Sequence, residues 1–374
     1  MKEDKYLWIV ASVVLFIIGV EYLFSRTKGK TIFRFQNTIS NLLMGIFDRV
    51  AGLFMVPLIY FYYEYLYLNF ALFFIPESIL FFCFAVLISD FIWYFYHKAG
   101  HRINFFWGAH IIHHQSEDYN YSVALNLTPF QVIIRVLFWS LMPVLGFKPE
   151  VVLGTHLVIG LYQFLLHTTL IPKLGFVEKL FVTPSHHRVH HGSNTEYLDK
   201  NFGGILIIWD KLFGSFQEEE KEVQFGITKD VNSRDFMTSV FHYYQNLLFK
   251  MRQLATVKEK CLLLVKGPDW VPVSGEIKEL PLYIEKGTYQ YTRFSFQKKV
   301  YIILNIVLLF AVLILLAYLM NSFSFLQLWL IALFLLTSLV LTGKILEGLR
   351  FAYFEVFRIG LVLIFLWDYL HLFS

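Results

Sequence analysis

Apolar residues in this chain gather in long runs parted by short polar connections, and not at the spaced positions of surface helices. Crossing a hydrocarbon core takes roughly 20 apolar residues as a helix. Eight segments meet that requirement, some loosely: 6–25, 43–68, 74–96, 130–147, 150–171, 299–320, 324–342 and 351–371. Asp48 and Arg49 interrupt the second, which leaves its start open. The fourth and fifth meet at Gly146-Phe147-Lys148-Pro149, which allows only a tight hairpin. The first is followed by Ser25-Arg26-Thr27-Lys28-Gly29-Lys30 rather than by a small-residue cleavage site, so a retained helix is expected there.

Basic residues in short loops give an expected orientation. Arg26, Lys28, Lys30 and Arg34 place the first connection in the cytoplasm. The next two helices go out and return, so the residues from His97 onward are expected on the cytoplasmic side. The hairpin at 130–171 returns to that side as well, followed by the polar stretch 172–298 with Lys250, Arg252, Lys258 and Lys260. Lys344 and Arg350 then fall inside too. The acidic run Glu218-Glu219-Glu220 reads as solvated surface, and Gly267-Pro268-Asp269-Trp270 as a connector. Three parts are expected: a histidine-bearing core over 1–260, a connector over 261–298, and a C-terminal transmembrane bundle over 299–374.

Composition agrees. Only 16% of residues are charged and 57% are hydrophobic, against about 25% charged in ordinary soluble domains. A formal charge of +4 is small for this length and argues against a nucleic-acid surface. Cys83 and Cys261 are too few for a metal cage or a disulfide framework. The 41 Phe and 22 Tyr suit lipid-facing and interfacial packing.

Eleven of the 13 histidines lie between residues 97 and 191. Their spacing says more than their number. His97 and His101 form H-x-x-x-H, while His110, His113 and His114 form H-x-x-H-H. His187, His190 and His191 repeat the second pattern. On a helix, positions i, i+3 and i+4 share one face, so each cluster is expected to aim its rings at one point. Imidazole is a good ligand for iron, zinc and copper. Eight clustered rings exceed the needs of one metal, and two metals with about four ligands each are expected. The first cluster directly follows the third apolar segment, which puts the metals at the membrane face. Scattered surface histidines would not form three such clusters. A transporter would hold its ligands within helices at the bilayer midplane, whereas these are expected beyond helix ends.

His167, near the cytoplasmic end of the fifth segment, is a further candidate within reach of the metals. His156 is expected to be structural. His186 faces away from the rest of its cluster and is expected outside the ligand set, while His242 and His371 lack metal-like neighbours. Ligating histidines usually donate their second N–H to a partner. Candidate partners are Asp90, Glu117, Asp118, Asn120, Asn126, Asn194, Asp199, Asn201 and Asp210, with Asp90 the most pointed because it is charged inside an apolar helix.

Several runs carry a family likeness. Asp90-Phe91-Ile92-Trp93-Tyr94-Phe95-Tyr96-His97, then His101, His110, His113, His114 and Ser116-Glu117-Asp118-Tyr119-Asn120, resemble the fatty acid hydroxylase and sterol desaturase superfamily. So do Thr183-Pro184-Ser185-His186-His187-Arg188-Val189-His190-His191-Gly192, Asn201-Phe202-Gly203-Gly204 and Ile208-Trp209-Asp210-Lys211-Leu212-Phe213-Gly214-Ser215-Phe216. The likeness covers about residues 85–216. Within the superfamily, the branch that cleaves the ether bond of alkylglycerols is the most similar. The block around His187, the stretch Lys266-Gly267-Pro268-Asp269-Trp270-Val271-Pro272 and the extra C-terminal helices favour it.

The resemblance implies a centre of two iron ions (Fe2+) held by His97, His101, His110, His113, His114, His187, His190 and His191, with His167 matching a further family histidine. Gln163 stands where some hydroxylases have another, so nine ligands are expected. Asp90, Glu117 and Asn120 are expected to support them. The resemblance also implies O2 as oxidant, a lipid substrate and an external electron donor, which in that branch is tetrahydrobiopterin. No pterin pocket, flavin motif or haem domain is recognisable in the chain. Arg102 stands where the branch carries an acidic residue, and Val123-Ala124-Leu125-Asn126 where it tends to have Thr-Ala-Leu-Arg. These departures leave the metal ligands intact and bear on the substrate and the reductant.

The expectation is an all-α integral membrane protein with transmembrane helices and a cytoplasmic histidine-rich di-metal domain. It would be an O2-dependent lipid monooxygenase that hydroxylates the carbon next to an alkylglycerol ether bond and releases a fatty aldehyde. One rival is a hydroxylase or desaturase of sterols, carotenoids or fatty acyl chains with the same metals. Another is a non-catalytic membrane protein with a structural zinc site. The membrane is its setting in each case, and no nucleic acid is involved.

Overall fold

The structure is a computed structural model that describes residues 4–273, 275, 277–348 and 352–371. Arg350 lies outside them, as does the side chain of His371. The chain is helical nearly throughout. The N-terminal half comprises α1 (Asp4–Thr27), α2 (Phe35–Phe70), α3 (Ile79–Arg102), α4 (Asn104–His114), α5 (Pro129–Trp139), α6 (Leu141–Leu145) and α7 (Pro149–Leu166). The polar stretch holds α8 (Pro184–His190), α9 (Ile208–Leu212), α10 (Phe236–Gln253) and α11 (Val257–Val265). It also holds one antiparallel pair, β1 (Lys229–Val231) with β2 (Tyr283–Glu285). Helices α12 (Phe296–Leu319), α13 (Phe325–Leu346) and α14 (Ala352–His371) close the chain.

Among the described residues, α2, α3, α7, α12 and α13 are long and apolar enough to cross a bilayer. The protein is therefore a multi-pass membrane protein. Helices α1 and α14 coincide in position with the first and last expected segments. Large apolar side chains such as Phe16, Leu58, Ile79, Leu304 and Leu363 point outward, which water would penalise and lipid does not.

Two expectations change. The segment 130–147 is not one span. Its helix breaks at Ser140, whose hydroxyl donates to the Val136 carbonyl at 2.7 Å, and Pro143 sits in the next turn. The pair α5–α6, Pro129–Leu145, is about 25 Å long at 1.5 Å per residue. That is short of the roughly 30 Å hydrocarbon core. The hairpin nevertheless closes, with Thr128 before α5 and His167 at the end of α7 both against α4. The second change concerns α3, which does not stop at residue 96. Nothing breaks it before Ile103, so His97 and His101 sit on its last turns and not beyond its end.

Helix α2 has 36 residues, more than a bilayer needs, and its first third is packed inside the protein. Leu43, Met44 and Ile46 form one core with Phe236 and Val240 of α10, Ile302 and Leu309 of α12, and Leu339 and Leu346 of α13. The C-terminal helices thus share a core with the rest. A second core joins Tyr63, Ile92, Tyr96, Ile134, Trp139 and Val152. Helix α4 lies between the two, giving Ile112 to the first and Ala109 to the second, and so is held on both sides.

The hairpin turn depends on Gly146, which has φ 103° and lies so close to Phe73 that a Cβ would sit 2.0 Å from its carbonyl oxygen. Gly146→Ala should therefore cost about 2 kcal/mol or more, read as a lower midpoint of thermal unfolding in detergent. Gly160→Ala, with nothing within 4 Å of the new methyl, should show no such loss.

Candidate metal centre

Four helix ends deliver the histidines. The last turns of α3 carry His97 and His101, and the last turns of α4 carry His110, His113 and His114. His167 ends α7 as its C-cap. The short helix α8 carries His187 and His190 and ends on His191. Helix α8 starts where Thr183 caps it and Pro184 occupies its first turn. The Thr183 backbone N–H donates to Nδ1 of His186, so that ring is used as a cap.

These residues converge into two groups. His97, His101, His110, His114 and His190 form one, and His113, His167, His187 and His191 form the other. Within each group the candidate ligand atoms lie within 4.8 Å of one another. All nine residues are buried, none more than 7% exposed. The expected nine are brought together, but not cluster by cluster. At about 100° per residue, an i, i+4 pair stays on one side while the i+3 position swings away. His110 and His114 therefore share the first group and His113 crosses to the second. His187 and His191 share the second group and His190 crosses to the first.

The ring nitrogens show what the groups require. Nδ1 of His97 donates to the Phe202 carbonyl at 2.9 Å, and Nδ1 of His190 to the Lys200 carbonyl at 2.9 Å. Nδ1 of His167 donates to the Gln163 carbonyl at 2.8 Å, and Nδ1 of His110 to Oε1 of Gln131 at 3.2 Å. A carbonyl oxygen only accepts, so these Nδ1 atoms carry the proton and each Nε2 carries a lone pair. Yet the Nε2 atoms of His97 and His110 lie 3.1 Å apart. So do those of His110 and His114, of His113 and His167, and of His167 and His187. Nε2 of His101, His190 and His191 is buried with no partner. Between His97 and His110, whose Nδ1 atoms both donate, the facing Nε2 lone pairs repel unless a cation lies between them. With metal–nitrogen bonds of about 2.1 Å, adjacent ligands stand about 3 Å apart, so the observed spacing fits two ligated metals.

Protonation does not offer another solution. Burial, followed by the neighbouring imidazoles, holds His113, His114, His187 and His191 well below the usual imidazole range. Neutral imidazole is the form that ligates a metal.

The ring partners are mostly backbone. The loop 199–206 supplies the carbonyls of Lys200 and Phe202, and two carboxylates fix that loop. Asp210 accepts from the N–H groups of Phe202 and Gly203, both at 2.7 Å. Asp90 accepts from Ile205 and Leu206 N–H at 2.6 and 3.1 Å and from the Trp209 indole at 2.8 Å. The approach is close enough that a Cβ on Gly204 would lie 2.5 Å from Asp90 Oδ1. Asp199 and Asn201 adopt φ of 57° and 54° in this loop. Asp199 also faces Nδ1 of His101 at 3.5 Å and pairs with Arg102.

The expected supporting residues therefore need correction as ring partners: Asp90, Glu117 and Asn120 bond no histidine ring. Asp90 acts through the loop. Glu117 accepts from Arg34 and Tyr291, and Asp118 from the Arg34 N–H and Asn37. Asn120 donates to the Ile32 carbonyl and caps a 3-10 turn at Ser122. These three tie the segment after α4 to the start of α2. Asn126 donates to the Ile112 carbonyl, Asn194 to the Glu222 carbonyl, and Asn201 to the His186 and Gln217 carbonyls. His156 packs on Trp139, and His242 pairs with the Tyr283 hydroxyl. Gln131 was not singled out beforehand, because a glutamine in an apolar run carries no pattern.

The class so defined is a multi-pass membrane protein with two adjoining all-histidine groups that could each hold a metal ion. The fatty acid hydroxylase family matches residues 82–215, and this part of the chain belongs to that family, as its motifs indicated. The chain is similar to the alkylglycerol monooxygenase of Homo sapiens, 37% identical over 247 residues, which cover 66% of this chain and 55% of that protein. It is 35% identical to the alkylglycerol monooxygenase of Danio rerio over 261 residues, 68% of this chain and 58% of the other. For the Xenopus tropicalis alkylglycerol monooxygenase the figures are 34% over 250 residues, 66% and 55%. The chain thus spans little more than half the length of these curated relatives. No solved structure matches it.

Substituting His187 should remove metal from the second group and leave the first filled. Elemental analysis of purified His187→Ala should fall from about two metals per chain towards one. His186→Ala should keep both and lose about 1 kcal/mol of stability with its cap.

Proposed function

We propose that the chain is an O2-dependent di-iron monooxygenase of lipids, acting on the carbon beside the ether oxygen of an alkylglycerol. The observation that carries this reading is the five-plus-four set of buried imidazoles at four helix ends. The likeness to the alkylglycerol monooxygenases over two thirds of the chain supports the substrate class. When bound, the two irons supply O2 activation and oxidation of an unactivated C–H bond. A five-histidine group exceeds the four ligands of structural zinc sites, which argues against a purely structural centre.

The chain's own residues hold and orient. The carbonyls of Lys200, Phe202 and Gln163 fix ring tautomers, and Asp90 and Asp210 fix the loop that presents two of them. Burial of the nine rings excludes water from the reacting region. Hydroxylation beside the ether oxygen gives a hemiacetal, which collapses to a fatty aldehyde and glycerol. The electrons come from an external donor, for which we take tetrahydrobiopterin, arriving from the cytosol. The basic residues Arg26, Lys28, Lys30 and Arg34 support a cytoplasmic face for the centre. A division into a core over 1–260, a connector and a C-terminal bundle goes with this reading.

Arg102 and Asn126 favour a second reading, hydroxylation or desaturation of another lipid. Arg102 is half exposed and paired with Asp199, outside the ring of histidines. The departure there touches the histidines only through Asp199, which also faces Nδ1 of His101.

Membranes containing the protein should release fatty aldehyde from a 1-O-alkylglycerol only with O2 and a tetrahydropterin, and His187→Ala membranes should release none. A preparation that retains two irons and makes no aldehyde would transfer the proposal to the second reading.

A further inference from the structure

His167 stands between two other rings of the second histidine group. Its Nε2 lies 3.1 Å from that of His113 on α4 and 3.1 Å from that of His187 on α8. Yet it stands past the last helical residue: it caps α7 with ψ 62°, and the chain leaves the helix through Thr168. Carbonyls at a helix end lack intrahelical partners, so the turn must be held from outside. Two buried side chains hold it. Nη1 of Arg188 donates to the Thr168 carbonyl at 3.1 Å and to the Ile171 carbonyl at 2.8 Å. Glu21 of α1 accepts from the Thr168 hydroxyl at 2.5 Å.

Arg188 belongs to α8 and directly follows His187. Its other edge is taken by Glu219, whose two carboxylate oxygens accept from Nε and Nη2 at 2.8 and 2.7 Å. Glu219 is thus not the solvated surface expected of its acidic run, and its side chain is only 18% exposed. The pair is self-neutralising. An unpaired buried guanidinium would be costly and would repel a metal ion nearby. The planar fork of arginine can serve a carboxylate and two carbonyls together, whereas lysine would bring the charge without the fork.

We propose that Arg188 is a positioning residue for the second histidine group. It ties the turn after His167 to the helix that carries His187 and His191, and so sets the spacing of the rings with which that group would bind a metal ion. The effect falls on one group. His190, which serves the first, stands on the same helix but has its own anchor at the Lys200 carbonyl, 2.9 Å away. The other four rings of the first group stand on α3 and α4. The proposal rests on the two-metal reading of the centre and is independent of the lipid.

The test uses the purified full chain in nanodiscs, loaded with Fe2+ without O2. It is dialysed against Fe2+ buffers of graded free concentration, and iron per chain is measured. Arg188→Lys should give up one of its two irons at a free Fe2+ concentration about 10- to 100-fold higher than the wild type does, the range for a residue that orients metal ligands. It should give up the other where the wild type does. A role in general stability alone would shift both irons together. In His187→Ala, which should hold only the first group's iron, adding Arg188→Lys should change nothing. Equal weakening of both irons, a shift that persists in His187→Ala, or no shift at all overturns the proposal. If Arg188→Lys does not fold, Glu219→Gln decides, because it loosens the fork from its other side. A weakened hold on one iron then supports the proposal, and an unchanged hold on both overturns it. A wild type with two irons and unaffected variants sinks this inference alone. A wild type that never holds two irons sinks the two-metal reading with it.

Discussion

Nine uncharged imidazoles crowded into a buried space impose the constraint on which the rest of the structure depends. The Nε2 lone pairs of His97 and His110 approach to 3.1 Å, which is repulsive without a cation between them. Bound metals would turn that repulsion into cohesion, and their binding free energy would become folding free energy if the site exists only in the folded state. The helix ends that carry these rings, on α3, α4, α7 and α8, come from separate stretches of the chain. The centre therefore joins the bilayer helices to the polar stretch after them.

Holding the rings requires a rigid second layer, and the chain builds it from backbone. The loop 199–206 turns through two residues with positive φ so that its carbonyls face His97 and His190. Such backbone is costly, and two buried carboxylates offset the cost by taking five N–H donors between them. Asp90 thus links a membrane helix to a loop more than a hundred residues later. Its position seven residues before His97 puts it two turns below the metals, on the face that meets the loop.

Much of this was legible in the sequence. Apolar runs located α2, α3, α7, α12 and α13, because only length and hydropathy are needed for that. The break between α5 and α6 was not legible: Ser140 and Pro143 sit in a run that stays apolar. The end of α3 was misplaced because hydropathy falls after Tyr96 while helix geometry continues to Arg102. Histidine spacing gave eight of the nine candidate residues, and His167 came from its place near the end of an apolar segment and from the family likeness. Spacing did not give the five-and-four partition, in which His113 and His190 part from their own clusters. Nor did it give the ring partners, because a backbone carbonyl has no residue type and Gln131 carries no motif. The family likeness at residues 82–215 matches the motif-bearing stretch read from the chain.

The most direct measurement is X-ray absorption at the metal edge of the purified full chain, combined with its metal content. Two metals per chain, each with a nitrogen first shell and the outer-shell scattering of about four to five imidazoles, are predicted. One metal per chain, or a shell dominated by carboxylate oxygen with few imidazoles, would contradict the paired all-histidine centre.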